Sequence, residues 1–317
     1  MSSFIKKAKK PVSSSFIDNP LARTTGDKIF DGILLIVLTS VFLIVAYPLY
    51  FVIISSISEP LAVAGGEVIF YPVGFTLDGY RKVFEQQTVM RGFYNSLIYT
   101  SVGVTINLFV TIPTAYALSR KDFIFRTPIT IFYLITIFVS GGIMPTYLIV
   151  RATGLLDSMW ALIIPGAITV FNTVVARTFF QTNIPSELLE AAKLDGCGNT
   201  RFFIYVCLPI SGAIIAIMVL YYGVAHWNSY FSALLYMNDR TKWPLQLELR
   251  NILLLNSLAG MPGILTEEAL AEKKRLEALM EMMKYSLIIV SSIPMLVLYP
   301  FIQRHFVKGV MIGAIKG

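Results

Sequence analysis

The sequence predicts an all-α polytopic membrane protein with six transmembrane helices. Three observations lead there. Apolar residues make up 56% of the chain against 14% charged, and the mean hydropathy is +0.69, where soluble domains carry about one quarter charged residues. The apolar residues are gathered into long blocks rather than spread at strand or amphipathic-helix spacing. The cores of those blocks contain no Asp, Glu, Lys, Arg or His.

A helix needs about 20 apolar residues to cross the hydrocarbon core while bonding its own backbone. The segments that meet this run from about Ile33 to Ile57, Asn95 to Leu118, Pro128 to Val150, Met159 to Ala176, Phe203 to Ala225, and Tyr285 to Ile302. The first resembles a secretory signal, since Lys6, Lys7, Lys9 and Lys10 precede it and Ala62-Val63-Ala64 follows. A signal's apolar region is only about 7–15 residues, so an uncleaved anchor is expected. Residues 1–30 then form a basic cytoplasmic segment and 31–317 a transmembrane domain.

Orientation follows from the excess of Lys and Arg on cytoplasmic loops. With the N-terminus inside, the inner segments include Arg120, Lys121, Arg126, Arg177, Lys193, Arg201, Arg304, Lys308 and Lys316 besides the basic N-terminal segment. Both termini are expected in the cytoplasm. This topology also accounts for the net charge of +7 without nucleic acid, because the cations are scattered instead of forming one aromatic-interleaved surface. Cys197 and Cys207 belong to no CxxC or Cys/His pattern, and both are read as ordinary apolar residues.

Ion-coupled carriers place ionisable groups in mid-membrane despite the insertion cost. Their absence from the six cores argues against such a carrier, and against an intramembrane metalloenzyme or aspartyl protease. Pro48, Pro113, Pro145, Pro165, Pro209, Pro294 and Pro300 fall in the spans. They are read as tolerated kinks whose freed carbonyls find other partners, the alternative being hinges for alternating access.

The loop of about 178–202 reads IPSELLEAAKLDGCGNTRFFIYVCLPI around a short helix. Ser186 is placed to cap its N-terminus, Glu187 and Glu190 suit its positive end, and Gly196 suits a left-handed stop. Ala191 and Ala192 keep it slim enough for a groove on another protein, and Thr200 is placed to cap the helix entering the fifth span. At these residues the chain resembles the permease subunits of binding-protein-dependent ATP-binding-cassette (ABC) importers. Glu190, Ala191, Ala192, Gly196, Val206, Leu208 and Pro209 fall at the family's spacing, with Val in place of the more usual Ile.

YPVGFTLDGYRKVF (71–84), NSLIYT (95–100), AYALSRKDF (115–123) and QRHFVKGVMIGAIKG (303–317) are similar to the carbohydrate branch with the maltose-type permeases. MKYSLIIVSSIPMLVLYPFIQRHF looks nearest the LplC and YtcP type, associated with complex oligosaccharides. The basic extension before the first span is longer than in compact maltose-type subunits.

The resemblance implies the type I importer permease fold in a bacterial plasma membrane, crossing it several times within membrane lipid. It implies three protein partners: a second homologous permease, a cytoplasmic ATPase dimer and an extracytoplasmic sugar-binding lipoprotein. The chain has no GxxxxGK[ST] phosphate loop, so no cofactor is expected on it, and ATP and Mg would be used by the ATPase subunit. The implied ATPase-coupling residues are Ser186, Leu188, Leu189, Glu190, Ala191, Ala192, Asp195 and Gly196. Glu190 is the candidate for ionic contact, and Ile184, Leu188 and Leu189 for apolar contact. The tail from Lys308 to Gly317 is expected near the ATPase as well.

The extracytoplasmic loop of about 236–284 is too long for a simple connector. It holds a Pro-Gly pair at Pro262, a possible cap at Thr266 and an apolar stripe through Ala269, Leu276, Met280 and Met283. Either a solvated helical lid or a contact for the binding protein fits that pattern. For sugar passage, aromatic faces and neutral amides are suitable, and Tyr99, Asn107, Tyr147, Asn172, Trp227, Asn228 and Tyr230 are the candidates. Interfacial anchoring and helix-to-helix bonding compete with that role. His226 and His305 look isolated and are assigned no ligand role. Another solute as cargo, or an ATPase-independent channel or scaffold, remain the alternatives.

Overall fold

A computed structural model describes residues 25–139, 141–258 and 267–314. The chain divides into two compact units, residues 1–51 and 52–317. The first is described only through the helix α1 (Thr25–Ser56), which is long and apolar enough to cross a membrane. Pro48 lies inside it without ending it.

In the second unit, short helices α2 (Pro60–Ala64) and α3 (Asp78–Glu85) precede α4 (Gln87–Ser119). Then come α5 (Arg126–Phe138), α6 (Ile143–Ala152), α7 (Trp160–Ile163), α8 (Val170–Asn183), α9 (Ser186–Leu194), α10 (Asn199–Phe202) and α11 (Leu208–Ile210). The series ends with α12 (Gly212–Trp227), α13 (Phe231–Tyr236), α14 (Leu245–Leu258) and α15 (Glu267–Ala314). No strand occurs among the described residues. The expected tail from Lys308 is helical as far as Ala314, while the basic extension through residue 24, Pro262 and Thr266 lie outside the described residues, as does the side chain of His305.

The six expected spans resolve into two kinds. Three helices are long and apolar enough to cross a membrane, and there are up to six crossings if each bent pair is one span. α1, α4 and α15 are continuous, whereas the third, fourth and fifth spans are each broken. α5 ends at Phe138, and α6 restarts after Gly142, whose φ of 82° suits only glycine well. The α7 and α8 segments meet at 51° around a 3₁₀ turn at Ile164–Gly166, which contains Pro165. The fifth span bends by 79°. Its first part widens into a π-turn at Phe203–Cys207 immediately before Pro209, the expected response to a ring that cannot donate to the preceding turn. Prolines thus break two spans outright, a larger distortion than the tolerated kinks the sequence suggests.

The freed backbone groups are satisfied from far along the chain. Asn107, fully buried on α4, donates from Nδ2 to the carbonyls of Gly166 and Ala167, both at 2.8 Å. Tyr222 of α12 lies 2.7 Å from the hydroxyl of Thr111 and accepts the Thr169 N–H at 3.4 Å. The other break is served locally instead, where Ser211 donates to the Cys207 carbonyl at 2.6 Å. α4 is therefore the post on which the broken spans hang, and its apolar residues Ile112 and Ala115 pack with Ala176, Phe180, Ile214 and Met218 of α8 and α12.

Two sequence boundaries shift. The fourth span continues as α8 to Asn183, which places Arg177 inside a helix instead of a loop. α15 runs unbroken from Glu267 into the apolar segment Glu277–Phe301, so the expected lid is the start of the last span. Its packed face is Ala278, Met282, Ser286 and Leu287, all fully buried or nearly so. Met280 is 45% exposed, so the stripe expected through Leu276, Met280 and Met283 is out of phase, although Met283 does pack against the core. Leu276 and Ala269 have no described side chain. The cause is α3, which presses Gly79 so closely against α15 that a Cβ there would collide with the Ser286 hydroxyl and crowd Met282.

Candidate functional site

α9 is a nine-residue helix standing on the surface between the ends of α8 and α10. Its C-terminus has the expected glycine stop. Gly196 has φ 72°, its N–H reaches the Lys193 carbonyl at 3.0 Å, and the Cys197 N–H reaches the Ala192 carbonyl at 2.8 Å. This paired arrangement is the Schellman motif. The N-terminus differs from expectation: Pro185 occupies the cap position and no side chain caps the helix. Ser186 is thus the first helical residue. Thr200 also lies inside its helix, which starts at Asn199 after Gly198.

The faces of α9 separate its residues. Leu189 and Ala192, with Ile184 just before the helix, pack inward on the cluster formed by α4, α8 and α12. Ser186, Glu187, Leu188, Glu190, Ala191, Asp195 and Gly196 are exposed, Leu188 by 43%. Leu194, which the sequence analysis did not single out, is 90% exposed. Ile184 and Leu189 therefore anchor the helix instead of presenting it. The free face offers two aliphatic side chains flanked by carboxylates.

A charged strap ties α9 to the bundle. Arg120, at the end of α4, grips Asp122 with two bonds of 2.9 and 2.6 Å, and Lys193 of α9 reaches the same carboxylate at 3.4 Å. Arg120 also lies over the Tyr116 ring, which stacks against Phe203 of the π-turn at 4.8 Å. The Arg120 bonds, with Lys193 adding, hold the Asp122 carboxyl at about 2. Because that lies below the unfolded value of about 3.9, the strap's contribution is complete above that value and is lost as pH falls through about 2. Hydrogen exchange of residues 186–196 is expected to be level from pH 8 down to about pH 4 once corrected for intrinsic rates. Asp122→Asn should raise it across the whole range.

The proposed pathway residues have mixed settings. Asn107 completes its set of bonds by accepting from His226, whose Nε2 lies 2.7 Å from Oδ1; with Asn107 Nδ2 donating elsewhere, that nitrogen carries the proton. Gly103 makes room, since a Cβ there would meet the imidazole at 2.6 Å. In the sequence His226 looks isolated, and Gly103 and Asn107 one turn apart on α4 are the hint of its partner. Tyr99 donates to the Lys242 carbonyl at 2.9 Å, and Tyr147 stacks on Tyr236 at 6.2 Å. Asn172 is buried. Trp227 is 2% exposed and donates to the Ser291 carbonyl at 2.9 Å. Asn228 and Tyr230 alone are exposed, and Asn228 bonds back to the Val224 carbonyl.

On the opposite end of α4 from α9, the segment after α13 is held rigidly. Asp157, with φ 58°, accepts the backbone N–H groups of Asn238 and Asp239 and pairs with Lys242 at 3.3 Å. Asn95 of α4 donates to the Thr241 and Trp243 carbonyls at 2.9 and 3.0 Å. Arg240 makes a two-bond pair at 2.9 and 3.0 Å with Glu248, a carboxylate only 1% exposed.

The fold and site are those of a bundle of continuous and broken apolar helices carrying a capped surface helix, and comparison with known proteins gives the family. The chain is 39% identical over 291 residues to the polygalacturonan/rhamnogalacturonan transport system permease protein YtcP of Bacillus subtilis, covering 92% of this chain and 99% of the relative. It is 37% identical over 294 residues to Protein LplC of the same organism, covering 93% and 97%. The crystal structure of a bacterial ABC transporter involved in import of the acidic polysaccharide alginate contains a similar chain. That chain aligns with a TM-score of 0.80 at 28% identity, over 89% of this chain and 98% of its own length. No protein-family model matches the chain. The protein belongs to the carbohydrate ABC-importer permease family.

Proposed function

We propose that the chain is one of two permease subunits in a bacterial plasma-membrane importer, passing six times through the bilayer with both termini in the cytoplasm. Cargo is an oligosaccharide or complex polysaccharide fragment delivered by an extracytoplasmic sugar-binding lipoprotein. A separate ATPase dimer supplies the energy, using ATP and Mg. The relatives named for polygalacturonan and alginate transport support a saccharide as cargo.

The observation that carries the reading is α9. It is capped at its C-terminus, packed on one face by Ile184, Leu189 and Ala192, and bare on the other, where Glu187, Leu188, Glu190, Ala191 and Leu194 project. A groove on the ATPase takes Leu188 and Leu194, while a cation there meets Glu190. Closure of the ATPase dimer pushes α9, and the strap at Asp122 passes the displacement to α4. The exposed pair Asn228 and Tyr230 is the better candidate for cargo contact, since Trp227 and Asn107 hold the bundle together.

Glu190→Lys should still assemble in the membrane but lose ATPase on co-purification, with uptake falling at least ten-fold. Retained ATPase and full uptake in both Glu190→Lys and Gly196→Pro would refute the docking role. Binding by the lipoprotein across oligogalacturonides, alginate oligosaccharides and maltooligosaccharides identifies the cargo, and no binding to any saccharide would refute that part.

A further inference from the structure

We infer that the cleft between α9, the end of α4 and the start of α5 holds the headgroup of an anionic phospholipid, gripped by Arg126 on its wall with Arg177 one turn of α8 behind it. The cleft has a volume of about 590 Å³. Arg120, Lys121, Arg126 and Lys193 line it against only Asp122 and Glu190. Asp122 is already taken by Arg120 and Lys193, so positive charge is left over.

The excess is concentrated at two arginines. Arg177 of α8 sits one turn before Gln181, which lines the cleft. Its Nε is shut off from solvent with no hydrogen-bond partner, and Nη1 reaches only the Thr130 hydroxyl at 3.4 Å. Thr130 in turn donates to the carbonyl of Arg126, the first residue of α5, at 2.7 Å, which brings Arg177 to the opening turn of that helix. Among the described residues no carboxylate pairs with either. A buried donor left empty costs about 1–3 kcal/mol, and the planar fork of a guanidinium matches the oxygens of a phosphate diester.

The surroundings select a lipid over a soluble anion. Beside the basic run, Ile124 and Phe125 are 87% and 61% exposed, the pattern of a loop dipping into the membrane interface. Beyond Arg126, α5 presents Ile131, Phe132 and Ile135, each more than half exposed, a surface along which acyl chains lie. Basic pockets between membrane helices on the cytoplasmic side bind such headgroups. Placing the cleft in that leaflet rests on the orientation proposed above.

The test uses the full complex, purified from membranes and reconstituted with equal amounts of phosphatidylglycerol and phosphatidylcholine, with bound lipid counted by native mass spectrometry. Phosphatidylglycerol should be retained over phosphatidylcholine, and inorganic phosphate should not displace it. Arg126→Gln and Arg177→Gln should each weaken retention about five-fold. Arg81→Gln on α3 should leave it unchanged.

Equal retention of the two lipids, displacement by inorganic phosphate, or undiminished phosphatidylglycerol in the double variant would overturn the proposal. If Arg177→Gln folds poorly, Arg126→Gln and Arg126→Lys decide, the first weakening retention about five-fold and the second weakening it less. Leu188→Ser, on the exposed face of α9 and outside the cleft lining, measured alongside, should lose ATPase while keeping the lipid. That keeps the failure of either reading distinct from the failure of the other.

Discussion

Trp227→Ala is expected to destabilise the bundle by about 3–5 kcal/mol, the usual range for emptying a buried tryptophan site. The indole is enclosed by Val83, Val89, Leu245, Leu287 and Val290, and meets Phe93 edge-on at 5.7 Å. Its N–H also bonds the Ser291 carbonyl. α3, α4, α12, α14 and α15 all contribute to that enclosure, so the loss spreads over all five elements. Trp227→Phe keeps most of the apolar contact and should cost only about 1 kcal/mol for the bond and the smaller ring. Thermal unfolding in detergent measures both. If Trp227→Ala instead left stability unchanged and reduced uptake, the indole would belong to the sugar path after all.

Arg240→Ala is expected to destabilise by about 3 kcal/mol, because it strands a buried carboxylate. Glu248 is 1% exposed and has Arg240 as its cationic partner. The arginine side chain is itself 48% exposed, which sets the effect at the lower end of the range for buried pairs. Replacing both residues, Arg240→Met with Glu248→Leu, should recover much of the loss, since no charge then remains inside. A double-mutant cycle on unfolding free energies reads the coupling. Additive single effects would show that the pair contributes no more than its separate packing.

The sequence shows clearly those features whose causes lie within a few residues. The glycine stop at Gly196, the paired alanines and the absence of charge from the span cores all depend on local chemistry, and α9 follows from them. The breaks in the third, fourth and fifth spans do not. Pro165 makes a distortion plausible, but the break at 164–169 is stable because Asn107, about 60 residues earlier, takes its carbonyls. No local pattern reports that. The inward packing of Leu189 is hidden for a similar reason, since Leu188 and Leu189 are chemically equivalent and only the neighbouring α4 and α8 distinguish them. The misplaced stripe on α15 has a different origin: Leu, Met and Ala recur there on more than one face, and α3 chooses which face is covered.

One further property follows from the unbroken course of α15. Its 48 residues amount to about 72 Å of helix at 1.5 Å per residue, more than twice the roughly 30 Å of hydrocarbon. A pivot of about 10° along such a length swings one tip by roughly 12 Å relative to the other. The final helix thereby has the reach of a lever: a small rocking of its membrane segment becomes a stroke longer than a helix turn at its far end.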